Sequence, residues 1–234
     1  MPRELSLVIP TYNEAENVEE LIKRTAASLR NVDFEAIFVD DGSPDGTAIA
    51  VEWFGNGRGD FHVLRRKSRG GLSSAVMDGV RIAKGDVVAV MDGDLQHPPE
   101  LLPEMFGKIR RGNDLIIASR YLKGGTGEHS NLLRKGMSKV AVVLVHLLLP
   151  KTRAVEDVVS GFFMFRRSVL KNARFSLIGY KILLEIIEEG NVNNMAEVPY
   201  VFAIREKGTS KLGPTETLKY IALLFKLRLS KNFV

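Results

Sequence analysis

A regular alternation of strand-like and helix-like stretches constrains the fold of this chain more than any other feature. Apolar strand patterns at Leu5 to Ile9, Ala36 to Val39, Phe61 to Leu64, Val87 to Val90 and Leu115 to Ser119 alternate with helical patterns. The latter run at Asn17 to Leu29, Thr47 to Phe54, Leu72 to Ala83 and after Pro98-Pro99. Such alternation predicts an α/β fold with a mostly parallel sheet flanked by helices, because parallel neighbours need a long crossover that covers the sheet's face. Ligands of such sheets gather beyond the carboxyl ends of the strands. Polar clusters stand at those ends: Pro10-Thr11-Tyr12-Asn13-Glu14 after the first strand, Asp40-Asp41-Gly42-Ser43 after the second, Asp92-Gly93-Asp94 after the fourth and Arg120-Tyr121 after the fifth. Four strands thus deliver side chains to one rim, which independent loop accidents would not do.

Within that rim Asp92 and Asp94 are the most informative pair. In extended backbone, residues i and i+2 project to the same side, and Gly93 between them carries no side chain to block an incoming group. Paired carboxylates at a strand's mouth suit a divalent cation that itself holds phosphates, although Asp-Gly-Asp is also ordinary turn composition. Tyr12 offers an aromatic face for a base and Glu14 an acceptor for sugar hydroxyls; Asn13 or Glu14 could instead cap the following helix. Asp40 and Asp41 could read a base N–H or ribose hydroxyls, or form an Asx-type turn. Arg69-Gly70-Gly71 could bring backbone N–H groups to a phosphate, or be a plain tight turn.

The 234 residues suit one large domain, with no Pro-, Gly- or Ser-rich linker and no internal repeat. The absence of cysteine excludes disulfides, a thiolate metal site and a cysteine nucleophile. A net charge of +5 is compatible with nucleotides, lipid phosphates or an anionic membrane surface, but no basic and aromatic pattern supports nucleic-acid binding. His97, before two prolines, reads as a loop histidine rather than a base. The longest apolar run, Val140 to Leu149, is about half the length a membrane span needs, and it either packs in the core or lies in a membrane interface. From Thr217 to Val234, apolar and basic residues alternate at helical spacing, as in an amphipathic helix that docks on the domain or on a membrane. The N-terminus shows no signal-peptide pattern, so a cytoplasmic protein is expected.

Taken together, these residues resemble the inverting nucleotide-sugar glycosyltransferases of GT-A fold, a Rossmann-like architecture, and more closely the dolichol-phosphate mannose synthase group. The strings that carry the resemblance are Val8-Ile9-Pro10-Thr11-Tyr12-Asn13-Glu14, Val39-Asp40-Asp41-Gly42-Ser43-Pro44-Asp45-Gly46-Thr47, Met91 to Glu100 and Ser119-Arg120-Tyr121. Further on come Ser160 to Arg167, Gly179-Tyr180-Lys181, Glu197-Val198-Pro199-Tyr200 and Gly208 to Leu212. The first two strings are widespread among glycosyltransferases. Asp-x-Asp-Leu-Gln-His-Pro-Pro-Glu with the later Gly-x-Ser-Lys is narrower and implies transfer onto a polyprenyl phosphate.

The resemblance implies an inverting mannosyl transfer from GDP-mannose to dolichol phosphate or another polyprenyl phosphate, with Mg2+ or Mn2+. It assigns Asp92, Asp94 and Gln96 as metal ligands and Pro10, Tyr12, Glu14, Val39, Asp41 and Gly93 to the donor pocket. Arg205 and Lys211 belong to a loop that closes on the donor, and Arg120, Arg134 and Ser138 lie near the acceptor phosphate. Asp92, Asp94 and Arg120 form the catalytic set. A phosphomonoester is already largely a dianion at neutral pH, so no general base is required. The expected organisation is a catalytic domain over residues 1–213 and a C-terminal amphipathic helix over 214–234, at the cytoplasmic face of a membrane.

Gly93 stands where many relatives carry alanine, a difference expected to change little, and Val158-Val159 precede Ser160 where relatives often show other residues. Many microbial relatives continue into C-terminal membrane helices, so this chain is expected either to need a membrane-anchoring subunit or to be part of a longer, integral protein. UDP-glucose or another sugar as donor, or a catalytically silent nucleotide-binding subunit, are the competing readings. A nucleotidyltransferase would place a Gly-rich basic loop where Pro-Thr-Tyr-Asn-Glu stands.

Overall fold

In the computed structural model, residues 3–125, 145–177, 179, 181–203, 220 and 222–228 are described. Among these residues seven strands form one sheet in the order β3-β2-β1-β4-β6-β5-β7. They are β1 (Leu5–Thr11), β2 (Phe34–Asp40), β3 (Phe61–Arg65), β4 (Val87–Val90), β5 (Leu115–Ser119), β6 (Phe163–Arg166) and β7 (Met195–Pro199). Neighbours pair in parallel except around β6, which runs antiparallel to both β4 and β5. The α/β fold with its mostly parallel sheet is therefore as expected, and the reversed strand in the middle is the addition.

Alternate residues of each central strand serve opposite faces, so the strands read as continuous apolar runs. Leu5, Leu7 and Ile9 of β1, with Phe38 and Ala89, pack under helices α1 (Ala15–Ser28), α2 (Thr47–Gly55) and α4 (Leu102–Arg110). On the other face Val8, Ile37, Val39, Val88 and Val90 meet α3 (Leu72–Ile82) and α5 (Ile182–Glu189). Leu223, Leu224 and Leu227, from the helical residues 222–228, are buried in that second cluster together with Val145 and Leu149. A Cβ on Gly79 would lie 2.5 Å from Val8 Cγ1 and 2.9 Å from Val39 Cγ2, so glycine there lets α3 press directly onto β1 and β2.

Inserting β6 backwards between β4 and β5 has a geometric consequence. Val90 of β4 and Ile117 of β5 are both paired with Phe163, so the residues leading into β6 arrive at the rim where β4 and β5 end. Register carries β7 to the same edge, with Pro199 opposite Ser119. With β3 ending beside β2, where Arg65 is opposite Asp40, all seven strands bring one end to this side, three more than the polar clusters of the sequence indicate.

Candidate active site

On the β1–β2 side, Pro10 and Val39 are register partners, and Thr11 Oγ1 donates to the Val39 carbonyl at 3.4 Å. The Val39 side chain is wholly buried in the core, so this residue reaches the rim through its backbone. Glu14 precedes α1 without capping it by its side chain; instead its carboxylate accepts from Asn17 Nδ2 at 2.8 Å, and its N–H donates to Thr47 Oγ1 at 2.9 Å. Asp40 closes an Asx-type turn, accepting from the Ser43 N–H at 3.2 Å and from the Ser43 hydroxyl. Asp41 is enclosed by donors: the Arg66 guanidinium, the Gly70 N–H at 2.9 Å and the Gly71 N–H at 3.0 Å. The two glycine N–H groups, readable as phosphate donors, are engaged by this carboxylate. The Arg69 guanidinium lies 4.2 Å from the centre of the Tyr12 ring, on the face suited to a base.

Beyond β4, Asp94 Oδ1 accepts the Gln96 N–H at 3.1 Å, and Gln96 Nε2 donates to the Ala203 carbonyl at 3.0 Å. Leu95 between them has φ +63, the left-handed conformation that turns the chain sharply there. The half-buried Asp92 donates its N–H to His97 Nδ1 at 3.2 Å, and its Oδ2 lies 3.7 Å from that nitrogen. His97 is caged by the rings of Phe162, Tyr200 and Phe202, with centroids 5.3, 5.7 and 5.6 Å away. Burial drives its pKa down to about 4, with Asp94 opposing and Arg120 assisting, so the imidazole is neutral near pH 7. A neutral ring that accepts at Nδ1 orients the Asp92 backbone.

Glycine at 161 leaves room for the Asp92 carboxylate. A Cβ on Gly161 would stand 2.9 Å from Asp92 Oδ2 and 3.2 Å from His97 Cε1, crowding the carboxylate. Gly93 is tighter than expected, since an added methyl would meet Thr11 Cγ2 at 2.9 Å. Alanine there would therefore require the Thr11 side chain to shift.

Arg120, just past β5, is gripped by Asp157: Nε and Nη2 donate to the two carboxylate oxygens at 2.8 and 2.9 Å, and its backbone N–H donates at 3.1 Å. Burial opposes the Arg120 charge, but the bond to Asp157 more than offsets it and its pKa is raised. Lys181, at the start of α5, donates to the Val159 carbonyl at 3.1 Å. Burial, aided by Arg120, lowers its pKa to about 8, while Asp92 and Asp157 oppose the fall. Asp157, Lys181 and Glu197 had no role in the sequence reading. Lys181 and Glu197 lie inside strings that carried the resemblance, which was the available signal. Asp157 had none, because its partner stands 37 residues away. Arg134, Ser138, Arg205 and Lys211 lie outside the described residues.

The rim thus joins a carboxylate pair, with an amide oxygen at Gln96, to a basic end at Arg120 and Lys181. Such a set could hold a divalent cation and phosphates. The family model "Glycosyl transferase family 2" matches residues 6–174. The chain is 43% identical over 95% of its length to a dolichol-phosphate mannosyltransferase of Pyrococcus furiosus, of which it spans 63%. It is 32% identical over 99% of its length to the Saccharomyces cerevisiae enzyme of the same name, covering 89% of that protein. Among solved structures, glucosyl-3-phosphoglycerate synthase from Mycobacterium tuberculosis, crystallised with Mn2+, UDP-glucose and phosphoglyceric acid, superimposes with a TM-score of 0.73. That match has 22% identity over 97% of this chain and 80% of the other, and it supports the GT-A-like fold. The chain belongs to glycosyl transferase family 2, and by sequence it groups with the dolichol-phosphate mannosyltransferases of that family.

Proposed function

We propose that this chain transfers mannose from GDP-mannose to the phosphate of dolichol or another polyprenyl phosphate, with inversion at the anomeric carbon. The observation that carries the reading is identity to dolichol-phosphate mannosyltransferases along almost the whole chain, 43% and 32% for two of them. The rim supports it. Among the described residues no group of three or more His, Asp or Glu side chains gathers into an all-protein cage. Two carboxylates suit Mg2+ or Mn2+, which hold few protein ligands and complete their shell with phosphate oxygens. Asp92, Asp94 and Gln96 are the residues that would hold such a cation, and Gly161 leaves the Asp92 carboxylate uncrowded. Bound there, it supplies Lewis-acid stabilisation of the leaving diphosphate.

The remaining work falls to the chain's own groups. Pro10, Tyr12, Glu14, Val39, Asp41 and Gly93 form the donor side, where Asp41 shapes the 66–71 turn beside Tyr12. Arg205 and Lys211 are assigned to the donor phosphates by resemblance. Arg120, with Arg134 and Ser138, orients the acceptor phosphate for in-line attack, which leaves positioning rather than proton removal as the main task. No described helix is long and apolar enough to cross a membrane. Exposed Leu147 and Phe225 offer apolar contact for a lipid surface instead, and attachment to the cytoplasmic face is part of this proposal, alone or through an anchoring subunit.

The test is transfer of labelled sugar to a short-chain polyprenyl phosphate, comparing GDP-mannose with UDP-glucose, with Mg2+ or Mn2+ and then with chelator. Metal-dependent product from GDP-mannose is expected. Preference for UDP-glucose would keep the mechanism and change the donor; no product from either would favour a silent subunit.

A further inference from the structure

Arg120 is held by one carboxylate, and that carboxylate is held by another. Asp157 is fully buried in a stretch without helix or strand, between the short 3-10 turn Pro150–Ala154 and β6. Its direction is set by Glu197 of β7, whose two oxygens accept the backbone N–H groups of Glu156 at 2.7 Å and Asp157 at 2.9 Å. Because these partners are backbone donors, Glu197 fixes the peptide planes of residues 156–157 and does not serve to neutralise a cation. The same stretch is pinned twice more, by Lys181 on the Val159 carbonyl at 3.1 Å and by Ser160 Oγ on the Ala118 carbonyl at 2.8 Å. Glu197 is the register partner of Ile117, so β5 and β7 together carry both ends of the relay.

A guanidinium has more N–H donors than one carboxylate can take, and with Nε and one side of Nη2 committed to Asp157, the Nη1 edge is left, among the described residues, for a second oxyanion. Tyr121 and Phe202 flank it, with ring centres 5.5 and 5.6 Å from Cζ. We propose that Glu197 is a positioning residue for group transfer: through the 156–157 backbone and Asp157 it aims the outer edge of Arg120 at the acceptor phosphate. This rests on the acceptor role proposed above for Arg120.

The experiment uses the 234-residue chain with Glu197→Ala and Glu197→Gln, each in the unaltered and the Arg120→Lys background. Three readouts are taken: mannosyl transfer to a short-chain polyprenyl phosphate, equilibrium binding of that lipid, and Tm. Glu197→Ala is expected to raise acceptor KM and Kd on the order of tenfold, with donor KM within about twofold. Glu197→Gln, which keeps one accepting oxygen but sets an NH2 against the other N–H, should fall between. With Arg120→Lys already present, Glu197→Ala should cost much less, because the fork it aims is gone. Equal losses for donor and acceptor, or losses that add in full across both backgrounds alongside a lower Tm, would overturn the relay. A chain that binds the lipid but transfers nothing refutes the mannosyl reading, and its Kd values still decide the relay. One that does neither overturns both.

Discussion

On the β2 side of the rim a buried anion is surrounded by donors, whereas on the β5 side a half-buried cation is gripped, among the described residues, along only one edge. Asp41 has Arg66, the Gly70 N–H and the Gly71 N–H around it, and Arg66 is paired in turn with Asp78. Arg120 has Asp157 on Nε and Nη2, with Lys181 near enough for the two cations to affect each other. The first arrangement builds a wall: its charge is consumed in shaping a turn. The second leaves, among the described residues, N–H donors uncommitted on a partly exposed cation, which suits an anionic acceptor. Asp92 stands between them, after β4, and belongs to neither.

The largest expected effect therefore lies at the junction. Asp92→Ala should lower metal-dependent transfer on the order of a thousandfold or more while Tm stays close to that of the unaltered chain. Retained transfer would remove the metal assignment, and with it the idea that the junction serves both halves. Next comes the cation. Arg120→Lys keeps a charge against the buried Asp157, avoiding an unpaired carboxylate, but cannot fork between two oxyanions. Acceptor KM should rise on the order of tens of fold with donor KM little changed. Parallel losses in donor and acceptor would erase the distinction between the two sides.

Asp41→Asn probes the wall. It withdraws charge from Arg66, which keeps Asp78, and should cost about 2 kcal/mol, or about 4–8 °C in Tm. Donor KM should rise as the 66–71 turn relaxes beside Tyr12, and acceptor KM should not. If Asp41 instead reads the base directly, donor affinity would fall with Tm unchanged, and thermal melting beside donor titration separates the two.

The same contrast explains what could be read without coordinates. Strands β4 and β5 fall where their apolar runs place them, and α3 ends one residue before the stretch the pattern marks. Each is an element whose signal is local, set by hydrophobic period and flanking glycine or proline. The direction of β6 is not local. Phe162-Phe163-Met164-Phe165 is buried throughout, so it has no alternation to read, and nothing in an apolar run says which way it enters a sheet. The β1, β2 and β4 ends of the site were legible because each polar cluster follows its own strand. Asp157 and Glu197 were not, because they act on Arg120 across 37 and 40 residues of separation in successive steps. Asp41 was legible as a site residue, yet its partners Arg66, Gly70 and Gly71 were not assigned to it.

The smallest effect concerns the histidine beneath the junction. His97 has its pKa lowered from 6.5 to about 4, chiefly by burial. The unfolded chain therefore binds a proton between those values that the folded chain refuses. Stability from this group is complete above pH 6.5 and is lost as pH falls towards 4. In His97→Asn the amide oxygen can still accept from the Asp92 N–H, but nothing titrates, so the fall in Tm from pH 6.5 to 4 should become shallower. Transfer should behave differently. An acceptor phosphate takes up its second proton near about pH 6, so the acid limb of transfer should break there, in the variant as in the unaltered chain. A break that moves with the substitution would mean that His97 exchanges a proton during turnover. The cage of Phe162, Tyr200 and Phe202 would then have to admit one, and the junction would do more than hold Asp92 in place.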